Sequence, residues 1–255
     1  MDTRNTRKIL FLGDSITDCD HCFTRDNLGT GYVTYMAEAL SKNPMQTVNT
    51  VSRQSQTQSK TGNSSKLQAS PMQRGFSRWM PTGDYNDFSL INGGVDGFTL
   101  PRICRKWQRM WSGQHFDTVF LLGGINDVGD IMAHGNAEAV AASVLADALD
   151  AFDTLLRGLI ASGCCRIVVI EPFLFSVPEE LVTWHPRLNA LCQLLRTRAA
   201  QIQAEFPTAR ISCISVQERF DAAVAKDGVQ NMTTDGVHLT EQGHRMLAEI
   251  LLAYL

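Results

Sequence analysis

No apolar run in the 255-residue sequence approaches the ~20 residues that a membrane-spanning helix needs, so no membrane span is expected. A Gly-x-Ser-x-Gly elbow is also missing, which disfavours the usual α/β-hydrolase arrangement. There is no Walker-type phosphate loop and no complete dinucleotide fingerprint. Excess charge of either sign is lacking: 23 Lys and Arg stand against 26 Asp and Glu, a net charge of −3. So slight an imbalance predicts no attraction to nucleic acid or to an anionic membrane. The first residues lead into a short apolar run, 9–12, too brief for the core of a secretory leader, and a cytoplasmic location is expected. The seven cysteines are odd in number and scattered, which reads as reduced thiols rather than a disulfide framework.

Apolar residues make up 44% of the chain, enough for the core of one α/β domain over residues 1–255. Short apolar segments alternate with longer segments of helical period. Residues 8–13, 88–93, 117–123, 166–171 and 210–215 read as strands, and 30–41, 99–111, 136–161, 186–205 and 240–254 as helices. Nearly continuous apolar strands joined by helices predict a parallel sheet covered on both faces, with the active site at the carboxyl ends of its strands. Residues 44–87 interrupt this rhythm as a polar insertion. Its stretch 51–70 is rich in Ser, Gln, Thr and Lys, whereas 71–87 carries Phe76, Trp79, Met80 and Tyr85 and reads either as a flap or as a tolerated surface insertion.

The chemistry sits at the ends of these strands. Gly13-Asp14-Ser15 follows the first one, where the glycine lets the chain turn off the strand and Ser15 lies beside outward-pointing N–H groups. Alone, that triplet is equally a strand-ending turn in which Asp14 or Ser15 caps a helix. Near the other end of the chain, Asp235 and His238 stand three residues apart across Gly236. That spacing lets the carboxylate hold one ring nitrogen while the other takes a proton from Ser15. The bland alternative is a surface turn entering a helix at Thr240. Acyl transfer also needs oxyanion donors, and two glycine-containing turns offer them: residues 92–97, and residues 123–127 with the Asn126 amide. Each motif has an ordinary reading. Their joint occurrence in this order does not.

Together the four blocks resemble the SGNH hydrolase superfamily, the GDSL esterases. The resemblance implies Ser15 as nucleophile, Asp235 and His238 as its partners, and an oxyanion hole from the Ser15 N–H, the Gly97 N–H and the Asn126 side chain. It implies a flavodoxin-like αβα sandwich with a five-stranded parallel sheet. Ile16-Thr17-Asp18-Cys19 and residues 28–33 are similar to a branch of carbohydrate acetylesterases, including intracellular enzymes that deacetylate xylo-oligosaccharides. The likeness omits residues 44–87, and Thr234 stands where acetylxylan esterases carry an aromatic residue.

The expected reaction is hydrolysis of a small acyl ester, most plausibly O-acetyl on a carbohydrate, with no metal or organic cofactor. A homo-oligomer is compatible with the sequence. Asp14, Asp18 and Trp184 are further substrate-binding candidates, Trp184 either by stacking on a sugar or by simple packing. Asp127 is expected to anchor its own loop, and His115, His134 and His244 to have core or surface roles. Cys19 and Cys22 have C-x-x-C spacing, but no second ligand pair accompanies them. Two other functions fit less well. A lysophospholipase or acyl thioesterase would use the same residues with an apolar channel, and a glycan-binding module would have no need of a triad.

Overall fold

The structure, a computed structural model, describes residues 6–42 and 87–255 and the backbone of residues 83–85. Among the described residues, six strands form one sheet: β1 (Arg7–Gly13), β2 (Gly83–Tyr85), β3 (Phe88–Asn92), β4 (Thr118–Leu122), β5 (Arg166–Ile170) and β6 (Ile211–Ile214), in the order β2-β3-β1-β4-β5-β6. The five long strands are parallel, as expected. The short β2 adds an antiparallel edge beside β3, from a segment read in sequence as insertion. The remainder of that expected insertion, residues 44–82 and 86, lies outside the described residues.

Among the described residues, eight helices connect and cover the sheet: α1 (Ser15–Asp18), α2 (Tyr32–Lys42), α3 (Leu100–Met110), α4 (Ile125–Ala133), α5 (Glu138–Ala161), α6 (His185–Glu205), α7 (Gln217–Asp227) and α8 (Glu241–Leu252). Alternate strand residues serve opposite cores because side chains switch face at each step. Leu10, Leu12, Val119, Leu121, Ile167 and Val169 pack against α3, α5 and α6. Ile9, Phe11, Phe120, Leu122, Val168 and Ile170 pack against α2, α7 and α8. Both faces being buried explains why the strands read as continuous apolar runs.

Strand β1 lies between β3 and β4, so the chain leaves it first toward one side and later returns on the other. That is the topological switch point at which parallel α/β sheets open a crevice. Ser15 follows β1 and Asn126 follows β4, on either side of it.

Candidate active site

Gly13 ends β1 without a left-handed φ, so a sharp turn is not what requires glycine there. A Cβ would lie 2.1 Å from Thr17 Oγ1 and 2.6 Å from the Leu122 carbonyl oxygen. Close packing of α1 and β4 against the strand end is the reason. Ser15 is the first residue of α1, where a backbone N–H has no acceptor within the helix.

Asp14 caps α1, its Oδ1 accepting from the Ile16 N–H at 3.1 Å. The residue has no exposed surface, so it cannot touch a substrate, and its expected binding role is corrected to a cap beneath Ser15. Its other oxygen finds no hydrogen-bond donor among the described residues. Burial pushes the carboxyl up to about 7, against the pull of the Ile16 N–H and the His238 charge. The folded chain thus keeps a proton that the unfolded chain releases near 3.8. Stability from this group is full in acid and is lost as pH rises through about 7. Asp14→Asn retains the cap acceptor and removes the titration. Its melting temperature relative to wild type should therefore climb between about pH 4 and about pH 7, by the equivalent of a few kcal/mol. Parallel Tm–pH curves for the two proteins would refute this. Asp127, which burial also pushes up to about 7, is common to both proteins; the Asp14 charge is the smallest contributor to its rise, so most of its effect cancels in the comparison.

The block at residues 233–240 is a tight turn. Gly236 has φ +96°, and a Cβ there would fall 1.8 Å from the Val177 carbonyl oxygen, so only glycine fits. Thr233 Oγ1 accepts from the Gly236 N–H at 2.8 Å and donates to the His238 carbonyl at 2.7 Å. Asp235 Oδ1 accepts from the backbone N–H groups of Val237 and His238 at 2.9 and 2.8 Å. Its Oδ2 lies 2.7 Å from His238 Nδ1, and His238 Nε2 lies 2.9 Å from Ser15 Oγ. Burial works against ionisation of Asp235, but the His238 ring and the two N–H groups outweigh it and hold the carboxyl below the usual carboxylate range. The Asp235 and His238 side chains are about half exposed, 51% and 47%, so their pairing orients the imidazole more than it stabilises the fold.

Asn92 departs from the expected picture of a donor turn. It is buried, and its amide nitrogen donates to the carbonyls of Thr17 and Leu28 at 2.7 and 2.8 Å while its oxygen accepts from the Gly94 N–H at 2.9 Å. It fixes the nucleophile loop rather than facing a ligand. In the same turn the N–H groups of Gly93 and Val95 bond back to the Phe11 and Gly13 carbonyls. Gly97, at φ +68°, is exposed at the tip. Asn126 donates from Nδ2 to the Phe98 carbonyl at 3.0 Å, which holds the two loops of the expected oxyanion hole together and leaves the second amide hydrogen for another acceptor. Asp127 Oδ2 accepts from the Leu100 N–H at 3.0 Å, so it anchors the start of α3 as well as its own loop.

A cleft of about 500 Å³ opens beside Ser15 and His238. Four carboxylate residues line it: Asp18, Asp20, Asp96 and Glu241. Its apolar lining is small, chiefly Ile16, Leu239 and Tyr35. Asp18 accepts from the Asp96 N–H at 2.9 Å and pairs through its other oxygen with His21. One wall is Cys19 against His244, with 3.4 Å between Sγ and Nε2; His244 Nδ1 accepts from the Tyr32 N–H. Burial pushes the Cys19 thiol up to about 12 and His244 down to about 4, so both are neutral and the thiol is a poor nucleophile. Trp184 does not line this cleft; its ring packs over Gly129 of α4, the packing alternative. Sequence reasoning missed Asp20, Asp96, Glu241 and His244 as lining residues: Asp96 lies in a turn read for its N–H donors, Asp20 within the C-x-x-C spacing, and Glu241 and His244 in no motif.

The GDSL-like lipase/acylhydrolase family model matches residues 11–246. No curated protein sequence matches the chain. Among solved structures, a catalytic mutant of Axe2, an acetylxylan esterase from Geobacillus stearothermophilus, is 20% identical at a TM-score of 0.65, the match covering 99% of this chain and 95% of that one. A protein from Parabacteroides merdae described as a GDSL-like lipase is 21% identical at a TM-score of 0.64, covering 98% and 95%. LAE5, an alpha/beta hydrolase enzyme from the metagenome of Lake Arreo in Spain, is 20% identical at a TM-score of 0.66, covering 97% and 94%. At these identities the structural likeness carries the fold.

Proposed function

The chain belongs to the GDSL-like lipase/acylhydrolase family and is a carboxylic ester hydrolase; from that premise we propose that it removes small acyl groups, most plausibly O-acetyl, from a neutral polyhydroxylated alcohol such as a carbohydrate, through Ser15, His238 and Asp235. The observation that carries this reading is the continuous chain of contacts from Asp235 Oδ2 to His238 to Ser15 Oγ, at 2.7 and 2.9 Å, opening onto a cleft rimmed by carboxylates.

Ser15 Oγ attacks the ester carbonyl as His238 Nε2 takes its proton, while Asp235 keeps the other ring proton on Nδ1. The Ser15 N–H, the Gly97 N–H and the free Asn126 amide hydrogen receive the oxyanion. Collapse of the tetrahedral adduct expels the alcohol, which takes the proton from His238. Water then repeats the sequence on the acyl-serine and regenerates Ser15. Asn126→Ala should lower kcat by ~10²–10³-fold, the usual effect of deleting one oxyanion donor. A raised KM with kcat unchanged would place Asn126 in ground-state binding instead.

The cleft favours the carbohydrate reading over the lysophospholipase one. Asp18, Asp20, Asp96 and Glu241 repel an anionic headgroup, and Ile16, Leu239 and Tyr35 supply little surface for a long acyl chain. The apolar residues Phe76, Trp79 and Met80, which a lipid channel would recruit, lie outside the described residues. Asp18 belongs to this reading as a polar group at the mouth. The Geobacillus enzyme is described as an acetylxylan esterase, so acetylated xylan is the first natural ester to test. Exposed Cys22 and Cys165 thiols fit a reducing compartment.

The test is a series of p-nitrophenyl acetate, butyrate, octanoate and palmitate, followed by acetylated xylo-oligosaccharides, with mass-spectrometric mapping of a serine-directed phosphonate. Rates should fall steeply beyond acetate, and the label should sit on Ser15. Rates rising with chain length would transfer the assignment to lipids or thioesters. Absence of label at Ser15 would overturn the catalytic reading in favour of a binding module.

A further inference from the structure

The opposite edge of the sheet carries a second set of reactive side chains. His115 and Asp117 lie just before β4, and Cys165 just before β5, at the amino ends of strands whose carboxyl ends face the cleft. His115 Nε2 is 3.8 Å from Asp117 Oδ1. One ligand atom from each of the three residues lies within 4.8 Å of the other two, and among the described residues no other such trio occurs. Nothing in the esterase chemistry uses them.

The backbone around the trio is fixed. Asp117 Oδ2 accepts from the Lys8 N–H at 2.7 Å, and the Asp117 N–H donates to the Lys8 carbonyl at 2.9 Å. One carboxylate oxygen is thus held by the fold while the other faces the imidazole. Such an outer hydrogen bond is what orients a metal-ligating carboxylate. The Cys165 N–H bonds to the Phe116 carbonyl, which ties the third residue to the first two, and the neighbours Phe116 and Cys164 are buried in the core. His115 lies against the 163–165 turn, where a Cβ on Gly163 would be 3.4 Å from its Nδ1. His115 and Cys165 themselves are exposed, so their side chains are free to close the last ångström or so onto an ion.

We propose that His115, Asp117 and Cys165 form a zinc site, with the fourth position open to water. One imidazole nitrogen, one thiolate and one carboxylate oxygen suit a borderline transition ion; magnesium and calcium would take oxygen ligands instead. In a tetrahedral zinc site, bond lengths of about 2.0–2.3 Å bring neighbouring ligand atoms to roughly 3.5 Å, a short contraction from the spacing present. Binding forms the Zn–S, Zn–N and Zn–O bonds and releases the Cys165 thiol proton to solvent, so affinity rises with pH. The ion would clip the loops that enter β4 and β5. It has no place in the ester reaction.

The test is titration of the full-length protein, first stripped with chelator, with Zn²⁺ by calorimetry and with Co²⁺ by absorption. One equivalent should bind, and Co²⁺ should give a thiolate charge-transfer band in the near ultraviolet. Cys165→Ser should abolish the band, and Asp117→Asn, which keeps an acceptor for the Lys8 N–H, should weaken binding by about 10-fold or more. Circular dichroism and p-nitrophenyl acetate hydrolysis should be unchanged in both variants, since neither residue belongs to the catalytic set. Absence of saturable binding would overturn the proposal. So would a Co²⁺ band that survives Cys165→Ser, which would move the thiolate to another cysteine such as Cys22 beside His21.

Discussion

Ser15→Ala is expected to lower kcat by about 10⁶-fold, the scale seen when the nucleophile of a serine hydrolase is removed. Nothing near the site can replace the hydroxyl. The nearest alternative nucleophile in the cleft, Cys19, has its thiol pushed up to about 12 by burial and directed at the Ser15 and Ile16 carbonyls. Ser15 makes no other side-chain contact that the fold needs, since Asp14 and not Ser15 caps α1. The variant should therefore melt like wild type, and steady-state hydrolysis of p-nitrophenyl acetate measures the loss. A variant within tenfold of wild type would remove Ser15 from the mechanism.

The second large effect belongs to Asp235→Asn, and its sign follows from which oxygen does what. Oδ1 is occupied by the backbone N–H groups of Val237 and His238, so an asparagine will keep its oxygen there. Its NH₂ must then face His238 Nδ1, where Oδ2 now accepts. An NH₂ donates to that nitrogen and drives the ring proton to Nε2, leaving no lone pair for the Ser15 proton. The expected fall in kcat is ~10⁴-fold, the size of the equivalent tautomer reversal in a serine protease. Stability should hardly change, because the turn keeps both backbone bonds. Activity at high pH that matches wild type would show that the tautomer is not fixed by this residue.

The strands were legible because both faces of the sheet are covered: Ile9 through Leu12 could all be apolar only in a doubly packed layer. The long helices were equally plain from their period. Besides the four-residue α1, two helices were not. Residues 125–133 begin inside the Gly-Gly-Ile-Asn-Asp motif, and a glycine pair before an asparagine reads as a turn. Residues 217–227 bury only Phe220, so no apolar stripe marks them. The edge strand β2 lies in a segment whose composition favours neither class, and its pairing with β3 is a tertiary matter. At the candidate site, residue types and spacing singled out Ser15, Asp235 and His238, which the fold brings into one line of contacts. Side-chain direction was not readable. Asp14 and Ser15 are neighbours, yet one is sealed under the other, and only packing decides which faces out. Asn92 likewise reads as part of a donor turn and proves to be a brace between loops.

The bond between His238 and Ser15 closes a span of 223 residues. On the proposed mechanism, a chain halted before residue 235 on the ribosome, or clipped there by a protease, would carry the nucleophile with no base to arm it. Hydrolysis would then wait until residues 235–238 are made and docked against Ser15. During refolding, the return of hydrolysis should trail the burial of Trp107 and Trp111 between the sheet and α5, because loops of such length close late. Under the proposed mechanism, hydrolysis reports on the docking of two segments 223 residues apart.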